Sequence, residues 1–182
     1  MDPKVAPGMA NDFHCGEACA DQRFRKFVEQ HERVSALVAR FVPLVQLKIV
    51  SQWGVLNDYR VNDTLIQKSL ITSFRPMGDI GIVPNASGKQ FKSVSDATGL
   101  NLQDIATAES IAAELASLNI AAIVRSPQGI RVIRSGCSDN QAGLLFKRTD
   151  VPEPKEKDDF GEGLELVFAV KVAQDIYYFE TT

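Results

Sequence analysis

Histidine, cysteine and tryptophan are scarce in this chain of 182 residues, with two His, three Cys and one Trp. With only His14 and His31 available, every Ser-His-Asp or Cys-His relay must use one of them. His14 lies in a stretch without hydrophobic period, and His31 falls on the apolar stripe of a helix, where it reads as a packing residue. Neither G-x-S-x-G nor H-E-x-x-H occurs, so a conventional hydrolase triad or zinc protease is not expected. An odd number of cysteines suits a reducing compartment better than a disulfide scaffold. The expected location is therefore cytoplasmic, and the triplets Asn62-Asp63-Thr64 and Asn85-Ala86-Ser87 read as chance matches to the glycosylation pattern. Long apolar runs are missing too. The longest apolar-rich segment, Val34 to Val50, is broken by Arg40, Pro43, Gln46 and Lys48, whereas a bilayer span needs about 18–20 apolar residues. Met1 to Ala20 shows no basic start followed by an apolar run, so no secretory signal and no membrane association are expected. No charge of one sign dominates: 20 basic against 23 acidic residues leave a net charge of −3, which argues against broad binding to nucleic acid or anionic lipid.

What is present is an ordinary globular composition, 45% hydrophobic and 24% charged, long enough for one well-cored domain. Residues 1–20 read as a flexible tail rich in Pro, Gly, Ala, Asp and Asn, and residues 21–182 as a single α+β domain. Asp21 is placed to cap a helix running to about Val42, with Phe24, Phe27, Val28, His31, Val34, Leu37, Val38 and Phe41 on one stripe. Glu29 stands i,i+4 from Arg33 on the polar side, and Pro43 ends the helix. So wide a stripe requires a covering surface, either a sheet or another chain. Phe24, Phe27, Val28, His31, Val34 and Val38 are therefore the candidate interaction face, and a homodimer packed helix to helix is one expectation.

Downstream, Leu44–Trp53 reads as a strand, and Asn62 or Asp63 to Phe74 as helix or strand. Asp79–Val83 is a short strand, Ser93–Gly99 a short helix and Asn101–Leu118 a longer helix. Ile120–Arg125 and Ile130–Arg134 flank the turn Ser126-Pro127-Gln128-Gly129, and Gly143–Arg148 is a further strand. Asp150–Gly163 reads as an exposed charged loop, and Leu164–Val172 with Ile176–Phe179 as a closing hairpin. The expected architecture is an antiparallel-rich sheet of about five to seven strands covered by the long N-terminal helix and the helix near 101–118.

The chemistry-bearing clusters are weak. His14-Cys15-x3-Cys19, with Cys137 far off, offers the ligand types zinc prefers, but the spacing is not C-x2-C and no second cysteine pair answers it, so no metal is expected. Gly81–Gln90 fails the phosphate-loop pattern twice: six residues separate its glycines, and Gln90 stands where the hydroxyl belongs. Asp158-Asp159, Glu162 and Glu165 read as a solvated loop rather than as an acid–base pair.

Residues 61–135 carry the pattern with most content: a short helix at Ser93–Leu100, a longer helix, a strand, a Pro-Gly turn and a strand. In that order the segment resembles the second half of a winged helix-turn-helix domain, with Asp63–Phe74 supplying its first helix. The resemblance implies a DNA-binding regulator with Arg125, Arg131 and Arg134 on phosphates. The chain departs from the pattern in a long connection between Gly99 and Ile111, and in a recognition helix carrying Asp104, Glu109 and Glu114 with no Arg or Lys, which disfavours DNA. Three readings follow. The first is a non-enzymatic regulatory or protein-interaction protein, without cofactor, binding a protein partner or itself. The second is the DNA-binding regulator, and the third a small metal- or thiol-dependent protein using His14, Cys15 and Cys19. Ligand sensing in a pocket of the β-rich C-terminal part leaves no sequence signature.

Overall fold

Apolar and polar residues alternate in short runs such as Val45–Ile49 and Leu164–Leu166, the period of a strand with two unlike faces. The computed structural model describes residues 24–25, 27–52, 58–67, 70–73, 75–77, 81–83, 88–137, 140–161 and 163–181. Among them, α1 (His31–Phe41) leads into β1 (Ile49–Gln52), β2 (Tyr59–Val61), β3 (Thr64–Gln67), β4 (Leu70–Ser73), β5 (Arg75–Met77), β6 (Gly81–Val83) and β7 (Gln90–Phe91). Two helices follow, α2 (Val94–Thr98) and α3 (Leu102–Ser117). The chain then continues through β8 (Ala122–Ser126), β9 (Gly129–Cys137), β10 (Asn140–Lys147), β11 (Asp159–Gly161), β12 (Leu164–Ala173) and β13 (Ile176–Thr181).

Among the described residues, eleven strands form one antiparallel sheet in the order β11-β12-β13-β10-β9-β8-β1-β2-β3-β4-β7, and β5 pairs with β6 separately. The mixed α/β class with one large antiparallel sheet stands, but the strands outnumber the expected five to seven. Several, such as β2, β3 and β7, hold only two to four residues, too few to show an alternating period. No helix among the described residues is long and apolar enough to cross a membrane.

One expectation is met only in part, and another needs correction. Of the single long helix expected from Asp21 to Val42, the structure describes α1 together with helical residues 24–25 and 27–29 and a turn at Gln30. Its expected start at Asp21, like the tail 1–20, lies outside the described residues. Within 63–74, needed as the first helix of a winged-helix segment at 61–135, residues 64–67 and 70–73 form instead the antiparallel pair β3–β4. Asn62 decides this. It adopts φ 49 in the two-residue loop between Val61 and Thr64, the left-handed conformation that tight hairpins demand and Asn tolerates. Its Oδ1 accepts from the backbone N–H of Lys48 at 2.8 Å, and its Nδ2 donates to the Gln46 carbonyl at 3.1 Å. The hairpin expected as the wing is a central part of the sheet: β8 pairs with β1 on one side and β9 on the other.

The helices cover one face of the sheet. Phe27, Val34, Leu37 and Phe41 pack with Ile111 and Leu115 of α3 over Val50, Val61, Ile123, Val132 and Leu144. Local signals set the ends of α2 and α3. Ser93 and Asn101 accept from the N–H groups of Asp96 and Asp104 at 3.0 and 2.9 Å, and Gly99 closes α2 at φ 71. Arg40 of α1 pairs with Glu114 of α3.

The opposite face is covered as well. Ile49, Val124, Ile133, Leu145, Tyr177 and Phe179 pack beneath Phe160 of β11 and Leu164 and Leu166 of β12. Gln128, in the β8–β9 turn, donates from Nε2 to the carbonyl of Asp159 in β11 at 2.6 Å. On a flat sheet the four steps from β9 to β11 would hold them roughly 19 Å apart. The β12–β11 end of the sheet therefore rolls back over its own second face and closes a second core.

Candidate functional site

The three arginines of the β8–β9 hairpin do not converge. Arg125 lies on the helix side with its guanidinium 5.1 Å from the Phe41 ring centre. It donates to the carbonyls of Leu47 (3.2 Å), Val42 (3.2 Å), Phe41 (3.4 Å) and Leu44 (3.4 Å), at the C-terminal end of α1 and in the turns beyond it, where a cation suits the exposed carbonyls. Arg134 is on the same side, over the ring of Phe27. Arg131 points to the other face, 2% exposed, over Phe160 and within 3.4 Å of Gln141 Oε1. The carboxylates of α3 are engaged within the chain: Glu109 accepts from the Tyr59 hydroxyl at 2.8 Å, and Asp104 from Asn101 Nδ2 at 2.8 Å. Burial first, then the neighbouring Glu109, pushes the Tyr59 phenol up from its ordinary 10.0.

The apolar stripe of the first helix lies against its own sheet. Phe27, Val34 and Val38 are buried in the helix-side core. Phe24 meets the Tyr178 ring edge-on at 4.9 Å, and His31 Nδ1 lies 2.7 Å from the carbonyl of Val28 one turn back, as a packing histidine would. His14, Cys15 and Cys19 lie outside the described residues, and Cys137 falls in β9. Among the described residues no three His, Cys, Asp or Glu side chains group as metal ligands.

Two features that sequence reading missed stand at the rolled end of the sheet. One is a cavity of about 250 Å³ lined by Gln128, Leu145, Lys147, Val151, Pro152 and Phe160 among others. It is smaller than the roughly 300–1,000 Å³ of small-molecule sites. Lys147 ties down its rim, donating from Nζ to the carbonyls of Arg148 and Val151 at 2.8 Å each and pairing with Asp175 at 3.4 Å.

The other feature is the outer edge of β12. This strand pairs with β13 along one side, from Leu166 to Ala173. On the other side β11 reaches only Leu164 and Glu165, and the segment before it adds Lys157 N–H to Leu166 O (2.7 Å) and Leu166 N–H to Asp158 O (3.0 Å). Beyond Leu166, Val167–Ala173 has no strand alongside among the described residues. Val167 and Phe168 are 45% and 48% exposed, although large apolar side chains elsewhere in the sheet are mostly buried. Phe168, Val170 and Val172 lie on the helix side: the Phe168 ring sits 6.3 Å from that of Tyr178, and both valines pack on the helix-side core. Lys171 lies on the other side, over Tyr177.

Lys171 and the Tyr177 hydroxyl both donate to Glu153 Oε1, at 3.1 and 2.7 Å. The Tyr177 hydrogen bond, then that of Lys171, holds the Glu153 carboxyl below its usual range, and Glu153 raises Lys171 in turn. The only cation on the open edge is thus locally neutralised. Comparison with protein-family models, curated proteins and solved structures finds no match.

Proposed function

We propose that this chain is a non-enzymatic interaction protein that binds another polypeptide by strand addition along the open edge of β12. An unpaired strand edge offers a row of backbone donors and acceptors to an extended partner, and side chains at alternate positions supply selectivity. The observation that carries the reading is the exposure of Val167 and Phe168 on a strand whose outer edge, from Val167 to Ala173, has no neighbouring strand among the described residues. A protected edge shows charge and bulges instead. Bulges do bracket this one, between Leu166 and Phe168 and between Lys171 and Ala173, but the run between them stays in register with β13 and its lysine is paired to Glu153. The DNA-binding reading loses its basic patch, because Arg125 and Arg134 face the helices while Arg131 is buried on the opposite face. The metal- or thiol-dependent reading rests on residues outside the described ones.

A photo-crosslinking residue placed at Phe168 in the cells that make the protein tests the proposal. Discrete polypeptide adducts are expected from position 168 and not from Glu156, an exposed control in the charged loop. Equal yields at both positions would remove the β12 edge as the contact surface.

A further inference from the structure

We infer that the strand added to β12 is β12 of a second copy of this chain, a proposal that rests on the edge-binding reading above. The argument begins with the limits of the open edge. Leu166 is already bonded by Lys157 and Asp158, and the chain turns at Gln174-Asp175, where Asp175 takes φ 56. Residues 167–173 are therefore the stretch free to pair. Residues directly opposite one another in an antiparallel pair share a face, so a two-fold pairing of identical strands centres on a residue. The register that uses the whole open stretch, without displacing β11 or the turn, centres on Val170.

That register is self-complementary. It sets Val170 against Val170, and Phe168 of each copy against Val172 of the other, all on the helix side where the structure places these three residues. The half-exposed Phe168 ring then gains an apolar neighbour and a continuous stripe runs across the junction. On the opposite side Ala169 faces Lys171 of the other copy, and the small side chain leaves room for the lysine stem. The two lysines lie diagonally rather than directly opposite. Each is held 3.1 Å from its own Glu153, so the junction carries no uncompensated like charge. The contact is one strand wide, below the usual area of a permanent dimer, so a weak, concentration-dependent dimer is expected, to be sought between about 1 µM and about 1 mM.

Sedimentation analysis of the full-length protein across that concentration range tests the inference, beside two variants. The natural chain is expected to shift from monomer to dimer as concentration rises, and Phe168→Glu to stay monomeric with an unchanged circular dichroism spectrum. In a background with Cys15, Cys19 and Cys137 replaced by Ser, Val170→Cys is expected to form an intermolecular disulfide under mild oxidation. Its Cβ lies about 4.5–5.5 Å from its copy in this register, whereas Ala169→Cys, roughly 7–8 Å from its copy, is expected not to link. Should Phe168→Glu fail to fold, the contrast between the two cysteine variants decides alone. A natural chain that stays monomeric throughout, or a dimer in which positions 169 and 170 link equally or not at all, would overturn the inference. Crosslinks from position 168 to other polypeptides, with a monomeric chain, would overturn it while leaving the edge-binding reading standing.

Discussion

Glu153 shows how a surface carboxylate in a charge-rich loop acquires a specific role. Its Oε1 receives both the Tyr177 hydroxyl and the Lys171 ammonium. These favour the ionised form, so the carboxyl titrates below its ordinary value of 4.5 when folded. A group whose acidity rises on folding stabilises the fold above its unfolded value, and that contribution disappears as pH falls from 4.5 through the lower folded value. In an NMR titration, Glu153 should therefore titrate below 4.5, and Tyr177→Phe should move it back towards 4.5. A wild-type value at or above 4.5 would show that the contact does not persist in solution. None of this was legible in the sequence, because Glu153 and Lys171 are 18 residues apart and meet only when the loop folds onto the sheet.

At the scale of elements, ambiguity between helix and strand was settled by a turn rather than by the apolar pattern. Leu65, Ile66, Leu70 and Ile71 suit one side of a helix as well as a hairpin, so periodicity over 63–74 was undecided. The left-handed Asn62, with three backbone groups held by its side chain, tips the segment to β2–β3–β4. Asn62→Gly keeps the conformation and loses the side-chain bonds, while Asn62→Ala also incurs strain of about 1–2 kcal/mol. Urea unfolding should therefore rank wild type above Asn62→Gly, and Asn62→Ala lowest. The reverse order of the two variants would mean that the loop does not need its positive φ. The helices were easier to read: Asn101–Leu118 was expected and Leu102–Ser117 is found, because a capping Asn and a regular buried side are local signals. β11 escaped notice because its one core residue, Phe160, sits in a charged loop.

For the molecule as a whole, the decisive event is the closing of the second face. Phe160 contributes a fully buried ring, 5.3 Å from that of Phe179 and beneath the guanidinium of Arg131. Phe160→Ala should cost about 3–5 kcal/mol, more than an exposed-loop residue could, as read by the denaturation midpoint. A loss under about 0.5 kcal/mol, the scale of surface substitutions, would show that β11 does not cover the sheet in solution. The open edge of β12 could not have been anticipated from sequence, since being an edge depends on strand order. β12 lies outermost but one because β13 inserts between it and β10, and β11 is too short to cover it.

The same order has a kinetic consequence. In β2–β4 and β8–β10 each strand pairs with its neighbour in sequence, but the two arrays are joined through β1 and β8, where Ile49–Ser51 pairs with Ala122–Val124. That seam closes a loop of about 70 residues and must wait for a long-range encounter that its neighbours do not need. Until it forms, both β1 and β8 present unpaired edges to any other chain nearby. Aggregation then competes with that closure, so the yield of native sheet on refolding is expected to fall as protein concentration rises.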